Sequence, residues 1–222
     1  MIASPGRVTT VLVGKIAPLG PKGILSGFIK HAADGAVSAT TAGLSGDEQA
    51  DRRVHGGVDK AIYGYGVTAY DCWRTAMPQH VARFGPGAMG ENLAVTGLDE
   101  TSVAIGDRVR AGTALLQVTE PRTPCFKLAL AYDDSSMPRA MMRSGKCGWY
   151  YRVLEAGVII AGDAVTTIDR PNPDWPIARF FEVISARAYG RDILAEIAAL
   201  EGIADSWRAK ALRALSRLGE VD

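Results

Sequence analysis

Short apolar stretches, alternating or continuous and separated by glycine, proline and acidic turns, fill the first three quarters of the chain and read as β-strands. The expected strands are Arg7 to Ile16, Val58 to Tyr65, Glu91 to Val95, Asp107 to Val109, Leu115 to Val118, Trp149 to Leu154, Val158 to Ile160 and Ala164 to Ile168. Two helical insertions interrupt them. One runs from Thr68 to about Met77, where Pro78 forbids continuation, and the other from Ser136 to Arg143, ending before Gly145. Many short strands with few long helices imply a barrel or a sandwich.

Arg170-Pro171-Asn172-Pro173-Asp174-Trp175-Pro176 breaks this pattern, because three prolines in one short stretch exclude both helix interior and central strand. The chain therefore divides into a β-rich unit, residues 1–169, and a C-terminal module, residues 170–222. In the module, Ile177, Phe180, Phe181 and Ile184 recur at helical spacing, as do Ile193, Leu194, Ile197 and Leu200, and then Trp207, Ala211, Leu215 and Leu218. Three amphipathic helices are predicted. Seven basic residues from Arg179 to Arg217 face seven acidic ones from Glu182 to Asp222, a balance that argues against a phosphate-driven nucleic-acid reader and for a packing or partner module.

With 222 residues, of which 47% are hydrophobic and 22% charged, the chain is long enough to bury a full core. A net charge of +1 offers no general attraction to nucleic acid or to an anionic membrane. The N-terminal residues lack a basic segment followed by an apolar run, so a cytoplasmic location is expected. Cys72, Cys125 and Cys147 form no CxxC pair, and reduced thiols are expected. His31, His55 and His80 lie too far apart for a zinc motif.

Three clusters carry candidate chemistry. In Pro121-Arg122-Thr123-Pro124-Cys125-Phe126-Lys127-Leu128, Thr123 can cap a helix that Pro124 starts, which places Cys125 in the first turn. Unpaired N–H groups there, with Arg122 and Lys127 beside them, favour a thiolate, which is a nucleophile or a metal ligand. The alternative is a small buried hydrophobe. The second cluster joins Gly46-Asp47-Glu48-Gln49 with His55-Gly56-Gly57-Val58-Asp59-Lys60: glycine N–H groups can converge on an anion while His55 and Lys60 supply charge. A tight turn into a strand at Val58 reads equally well. The third, Gly90-Glu91-Asn92-Leu93, sets a carboxylate and an amide at a strand start, or is a plain turn.

Taken in order, these clusters and Gly106-Asp107 resemble those of MOSC-domain proteins, and among them the YiiM-like branch with three C-terminal helices. The resemblance covers nearly the whole chain. It implies a mainly β fold with α elements, a closed or nearly closed mixed β-barrel of the pyruvate-kinase type carrying a small three-helix module. It also implies a bound molybdenum cofactor (molybdopterin) and reduction of N-hydroxylated compounds, N-hydroxylated purine bases included, to amines. Carried over residue by residue, it makes Cys125 the catalytic molybdenum ligand and assigns Arg122, Lys127, His55, Gly56, Gly57, Lys60 and Asn92 to the cofactor. Asp47, Asp59 and Glu91 then orient these groups or relay protons. Where the family often has Gly-Gly-Pro-Asp-Arg, this chain has Gly56-Gly57-Val58-Asp59-Lys60, a flexible residue and a point charge in place of a rigid turn and a forked donor.

No flavin, haem or iron–sulfur motif is visible, so an external flavin-type reductase is the expected electron donor, with the C-terminal helices as a docking surface. A monomer and a homodimer are both compatible with the sequence. The competing function within the same resemblance is a carrier of the cofactor, or of sulfur as a Cys125 persulfide, without turnover of its own.

Overall fold

The computed structural model describes residues 5–50, 56–187 and 189–219. Its strands are β1 (Gly6–Val13), β2 (Ala17–Leu19), β3 (Ile24–Ser26), β4 (His31–Ala32), β5 (Val37–Thr40), β6 (Gly43–Leu44), β7 (Ile62–Gly66), β8 (Leu93–Thr96), β9 (Arg108–Ala111), β10 (Ala114–Pro121), β11 (Trp149–Glu155), β12 (Gly157–Ile159) and β13 (Ala164–Asp169). Seven of them pair in the order β13-β9-β10-β11-β7-β8-β1, and β1 returns to β13 through Gly6↔Val165, which closes a barrel. The β7–β8 pair is parallel and the other pairs in the ring are antiparallel, so the barrel is mixed. A hairpin of β2 and β3, a three-stranded sheet of β12, β5 and β6, and the short β4 beside β1 complete the β structure.

Burial explains which strands read as alternating and which as continuous. β13 alternates exposed and buried, as a barrel strand facing solvent should. β10 is buried at all eight positions because the C-terminal helices α4 (Ile177–Ala186), α5 (Arg191–Ala199) and α6 (Asp205–Gly219) cover it from outside. Ala204 N–H reaches the Thr119 carbonyl at 3.1 Å, and the Trp207 indole donates to Glu120 at 3.0 Å. Phe180 packs edge-on against both Trp175 and Trp207. One hydrophobic cluster runs from Val8, Tyr65 and Leu116 in the barrel to Ile177, Phe180, Leu194 and Ala211 in the module. The core thus crosses the proline-rich connection.

Of the inserted helices, α1 (Ala69–Ala76) ends before Pro78 as expected, and α3 (Met137–Ser144) ends at Gly145, which takes φ +66°. A further helix, α2 (Phe126–Tyr132), follows Cys125. Several strands differ from expectation for identifiable reasons. β1 stops at Val13, not Ile16, because the N–H groups of Gly14 and Ile16 bond to the Asp47 and Glu48 carboxylates instead of a neighbouring strand. Val58 does not open a strand: Val58–Lys60 forms a 3₁₀ turn entered through Gly57 at φ +92°, and pairing begins at Ile62. Strand β8 begins at Leu93, since Glu91 folds back onto its own loop. No helix among the described residues is long and apolar enough to cross a membrane.

The entrance to α3 makes stability depend on pH. Asp134 accepts hydrogen bonds from Ser136 Oγ at 2.6 Å and Ser136 N at 2.8 Å, and faces His80 Nε2 at 2.9 Å. Ser136 first, then His80, hold its carboxyl well below the ordinary aspartate range. A depressed carboxyl contributes stability above its unfolded value and loses it as pH falls through that value toward the native one. Asp134→Ala should therefore melt below the parent at pH 7, and the gap should close in thermal scans taken below about pH 4.

Candidate functional site

β10 delivers the site. Its pairing with β11 ends at Pro121↔Trp149, but Arg122 N–H still reaches the Gly148 carbonyl at 3.3 Å, so the extended direction persists one residue further. Thr123, Pro124 and Cys125 then cross to α2. Cys125 itself is extended (φ −126°, ψ 173°), and its carbonyl accepts the Leu128 N–H at 3.1 Å, which makes it the N-cap of α2. This corrects the sequence expectation: Thr123 does not cap, Pro124 does not start the helix, and Cys125 stands one step before the first turn. The thiol is half-buried, is in no disulfide and makes no capping hydrogen bond.

Cys125 opens into a cleft between β7, β10, α2 and the loops after β3 and before β8. Lys60, Lys127 and Arg122 bring positive charge to it, Tyr63, Tyr150, Phe28 and Met89 form flat or thioether walls, and Gln49 and Asn92 add amides. Strand register explains the aromatic wall. Tyr150 pairs with Tyr63 on one side and with Glu120 on the other, so the three side chains form a row across β10, β11 and β7, with the tyrosine rings 5.2 Å apart. The opposite wall needs a small residue: a Cβ on Gly90, which sits at φ +78°, would come within 3.1 Å of the Phe28 ring.

Arg122 lies beneath the cleft, only 5% exposed. Its Nη1 is 2.9 Å from Met141 Sδ, and the guanidinium carbon is 5.8 Å from the centroid of the Tyr63 ring. Burial alone would lower its pKa, but Tyr63, Tyr150 and Cys125 together raise it, so the charge is retained. Burial pushes the Tyr150 phenol up to about 12, with Arg122 opposing, and the phenol stays protonated at neutral pH.

The structure brings Cys125, Arg122, Lys127, Lys60 and Asn92 to this one cleft. Asn92 lines it while its amide joins strands: Oδ1 accepts from Tyr63 N at 3.0 Å and Nδ2 donates to the Leu12 carbonyl at 3.2 Å. Glu91 is wholly buried and accepts from Tyr70 Oη, from Gly87 N at 2.6 Å and from Met89 N at 2.9 Å, which shapes the loop that presents Met89 and Gly90. Burial raises its pKa against those bonds. Asp47 lies off the cleft, in a buried ion pair with Lys30 and bonded to Gly14 N at 2.8 Å. Gly56, Gly57 and Asp59 line a second cleft on the far side of Lys60. His55 lies outside the described residues. Tyr63 and Tyr150 escaped sequence reasoning because they read as ordinary strand residues and only register sets them side by side, while Phe28 and Met89 lie in loops with no recognisable pattern.

Residues 51–166 match the MOSC domain, a span that includes Cys125. The chain belongs to the MOSC family. It is 40% identical to Protein YiiM of Escherichia coli K12 over 160 residues, 72% of this chain and 71% of that one. It is 38% identical over 198 residues to a protein named Reductase from Gibberella moniliformis; that match takes in 86% of this chain but 34% of the relative, so the chain spans about a third of its length. Crystal structures show the same MOSC architecture. YiiM from Geobacillus stearothermophilus superposes with a TM-score of 0.80 at 30% identity, over 95% of this chain and 100% of that one. For YiiM from Escherichia coli the TM-score is 0.77 at 28% identity, over 91% and 94%.

Proposed function

We propose that this MOSC protein is a molybdenum-cofactor-dependent reductase of N-hydroxylated compounds, N-hydroxylated purine bases among them, fed by an external flavin-type donor. The observation that carries the reading is the meeting of one soft sulfur, Cys125, with three cations in an aromatic-walled cleft. The donor set fits a molybdopterin: Cys125 would give the metal one soft protein ligand beside the pterin's own sulfurs. Lys60, Lys127 and Arg122 suit its phosphate.

When bound, the cofactor supplies the two-electron chemistry that accepts oxygen from an N–OH group. The net change is N–OH plus two electrons and two protons to N–H plus water. Cys125 would hold the metal, and its place before α2 keeps the residue at the cleft surface. Phe28 and Tyr150 present flat faces to a planar base, and stacking on such faces tolerates any base with a π surface. Tyr150 holds a phenolic proton at Oη close to the Arg122 charge, which would provide a hydrogen-bond donor to a substrate in the cleft.

The test is turnover. Chain purified from a host that makes the cofactor should convert an N-hydroxylated purine to its amine under a chemical reductant. No amine from molybdenum-loaded chain would overturn the substrate class.

A further inference from the structure

The two walls of the Cys125 cleft are built differently. Arg122, Cys125 and Lys127 come from the end of β10 and from α2, and Tyr150 from β11. The opposite wall comes from three loops: Gly27 and Phe28 after β3, Glu48 and Gln49 after β6, and Met89 and Gly90 before β8. Its polar side chains are engaged within the fold. Glu48 accepts from Ile16 N at 2.9 Å and from Lys15 Nζ at 3.0 Å. Gln49 donates to the Lys60 carbonyl at 3.1 Å and accepts from Gly57 N at 3.3 Å. This wall therefore meets a ligand chiefly through its shape, to which Phe28 contributes a flat ring.

Each of the three loops also places one charged residue in a common buried cluster. Lys30 follows Phe28 by two residues, Asp47 precedes Glu48, and Glu91 follows Gly90. The Lys30 and Asp47 side chains are 6% and 4% exposed and form an ion pair, and Glu91 is wholly buried. Burial lowers the Lys30 pKa, while Asp47 and then Glu91 oppose it, so both carboxylates act on one ammonium. The backbones pack along the same lines. A Cβ on Gly27 would overlap the Glu48 carbonyl oxygen, and one on Gly87, whose N–H bonds to Glu91, would lie 3.3 Å from the Lys30 carbonyl oxygen. A buried ion pair is a costly route to stability compared with apolar side chains of the same volume, but it fixes the relative position of the loops that carry it.

We propose that Lys30 is a positioning residue that fixes the spacing between Phe28 and Tyr150, so that the Cys125 cleft admits a flat ring in preference to a puckered one. The substrate this would select, a planar N-hydroxylated base, rests on the reading above, but the selection is tested without cofactor or turnover. In cofactor-free chain carrying Cys72→Ala, Cys125 is the accessible thiol, because Cys147 is wholly buried. Its alkylation is timed with N-phenylmaleimide and with N-cyclohexylmaleimide, which share an electrophile and differ in a flat or a puckered ring. Their rate ratio cancels any change in the thiol itself. Relative to a free thiol, the parent should favour the phenyl reagent, and Lys30→Met should lower the phenyl-to-cyclohexyl ratio by about 3- to 10-fold, the worth of one aromatic stack. Phe28→Ala should lower it as far, and adding Lys30→Met to Phe28→Ala should lower it no further.

A parent with no preference for the flat ring, an unchanged ratio in Lys30→Met, or losses that multiply in the double variant would each overturn it. If Lys30→Met does not fold, Lys30→Met with Asp47→Asn replaces it, which removes both charges of the pair and leaves Gly14 N its acceptor. The same fall in ratio is expected there, and an unchanged ratio would again overturn the proposal. Flat-ring selection with this coupling, in chain that takes up no molybdenum or pterin from a competent host, would remove the cofactor reading and leave the role of Lys30 standing.

Discussion

Replacing Cys125 with alanine should reduce turnover of an N-hydroxylated purine by well over the ~10–100-fold that loss of an outer-shell partner costs a metal site, and leave the fold as it was. The two halves of this expectation have separate grounds. Among the described residues that line the cleft, Cys125 is the one that can offer an anionic sulfur, and neither a methyl group nor a hydroxyl replaces a thiolate toward a soft metal, so Cys125→Ser should behave like the alanine variant. Yet the thiol is half-buried and makes no capping bond, so truncation leaves no buried polar group unpaired and should change stability by no more than about 0.5 kcal/mol. Steady-state rates and thermal melts read the two quantities independently. Cys72→Ala, at an exposed position on α1, is the control and should alter neither. A Cys125→Ser enzyme at the parent rate would remove the thiolate from the mechanism.

Asn92→Ala should lower stability by about 2–4 kcal/mol, because it strands two buried main-chain groups. Tyr63 N–H loses Oδ1 and the Leu12 carbonyl loses Nδ2, at a residue that is only 4% exposed. These bonds tie β1 to β7 across the start of β8, where a parallel pair and an antiparallel pair meet and the regular ladder cannot satisfy every group. Urea unfolding should show the midpoint falling with an unchanged slope. Any loss of cofactor in Asn92→Ala should then follow the unfolding curve. A variant as stable as the parent but unable to hold cofactor would return Asn92 to a ligand-binding role.

Much of this was legible in residue order. The β-rich unit, the helical trio after the prolines and the grouping of Cys125 with Arg122 and Lys127 came from apolar periodicity, proline placement and local charge. The segment between Val13 and Gly46 did not declare itself, since β2 to β6 are only two to four residues long, below the length at which alternation can be recognised. Phe28, which walls the cleft, was lost with it. The glycine cluster at Gly56-Gly57 was read as part of one pocket, whereas the 3₁₀ turn directs Gly57 and Asp59 to one side and leaves Lys60 between two clefts. Nothing local encodes that division, which depends on α6 arriving from nearly 150 residues away to hold Asp59 and Glu120. Deleting residues from Ile177 onward would expose the outer face of β10 and remove the Trp207 donor from Glu120, so the helices support the strand that leads to the site.

The most direct test of the central claim, that Cys125 holds a molybdenum cofactor, is a parallel analysis of molybdenum and pterin in parent and Cys125→Ala chains purified from one cofactor-producing host. The account predicts close to one molybdenum and one pterin per parent chain and a near-complete loss of molybdenum from the variant. Equal molybdenum and pterin in the two, or neither in the parent, would contradict it.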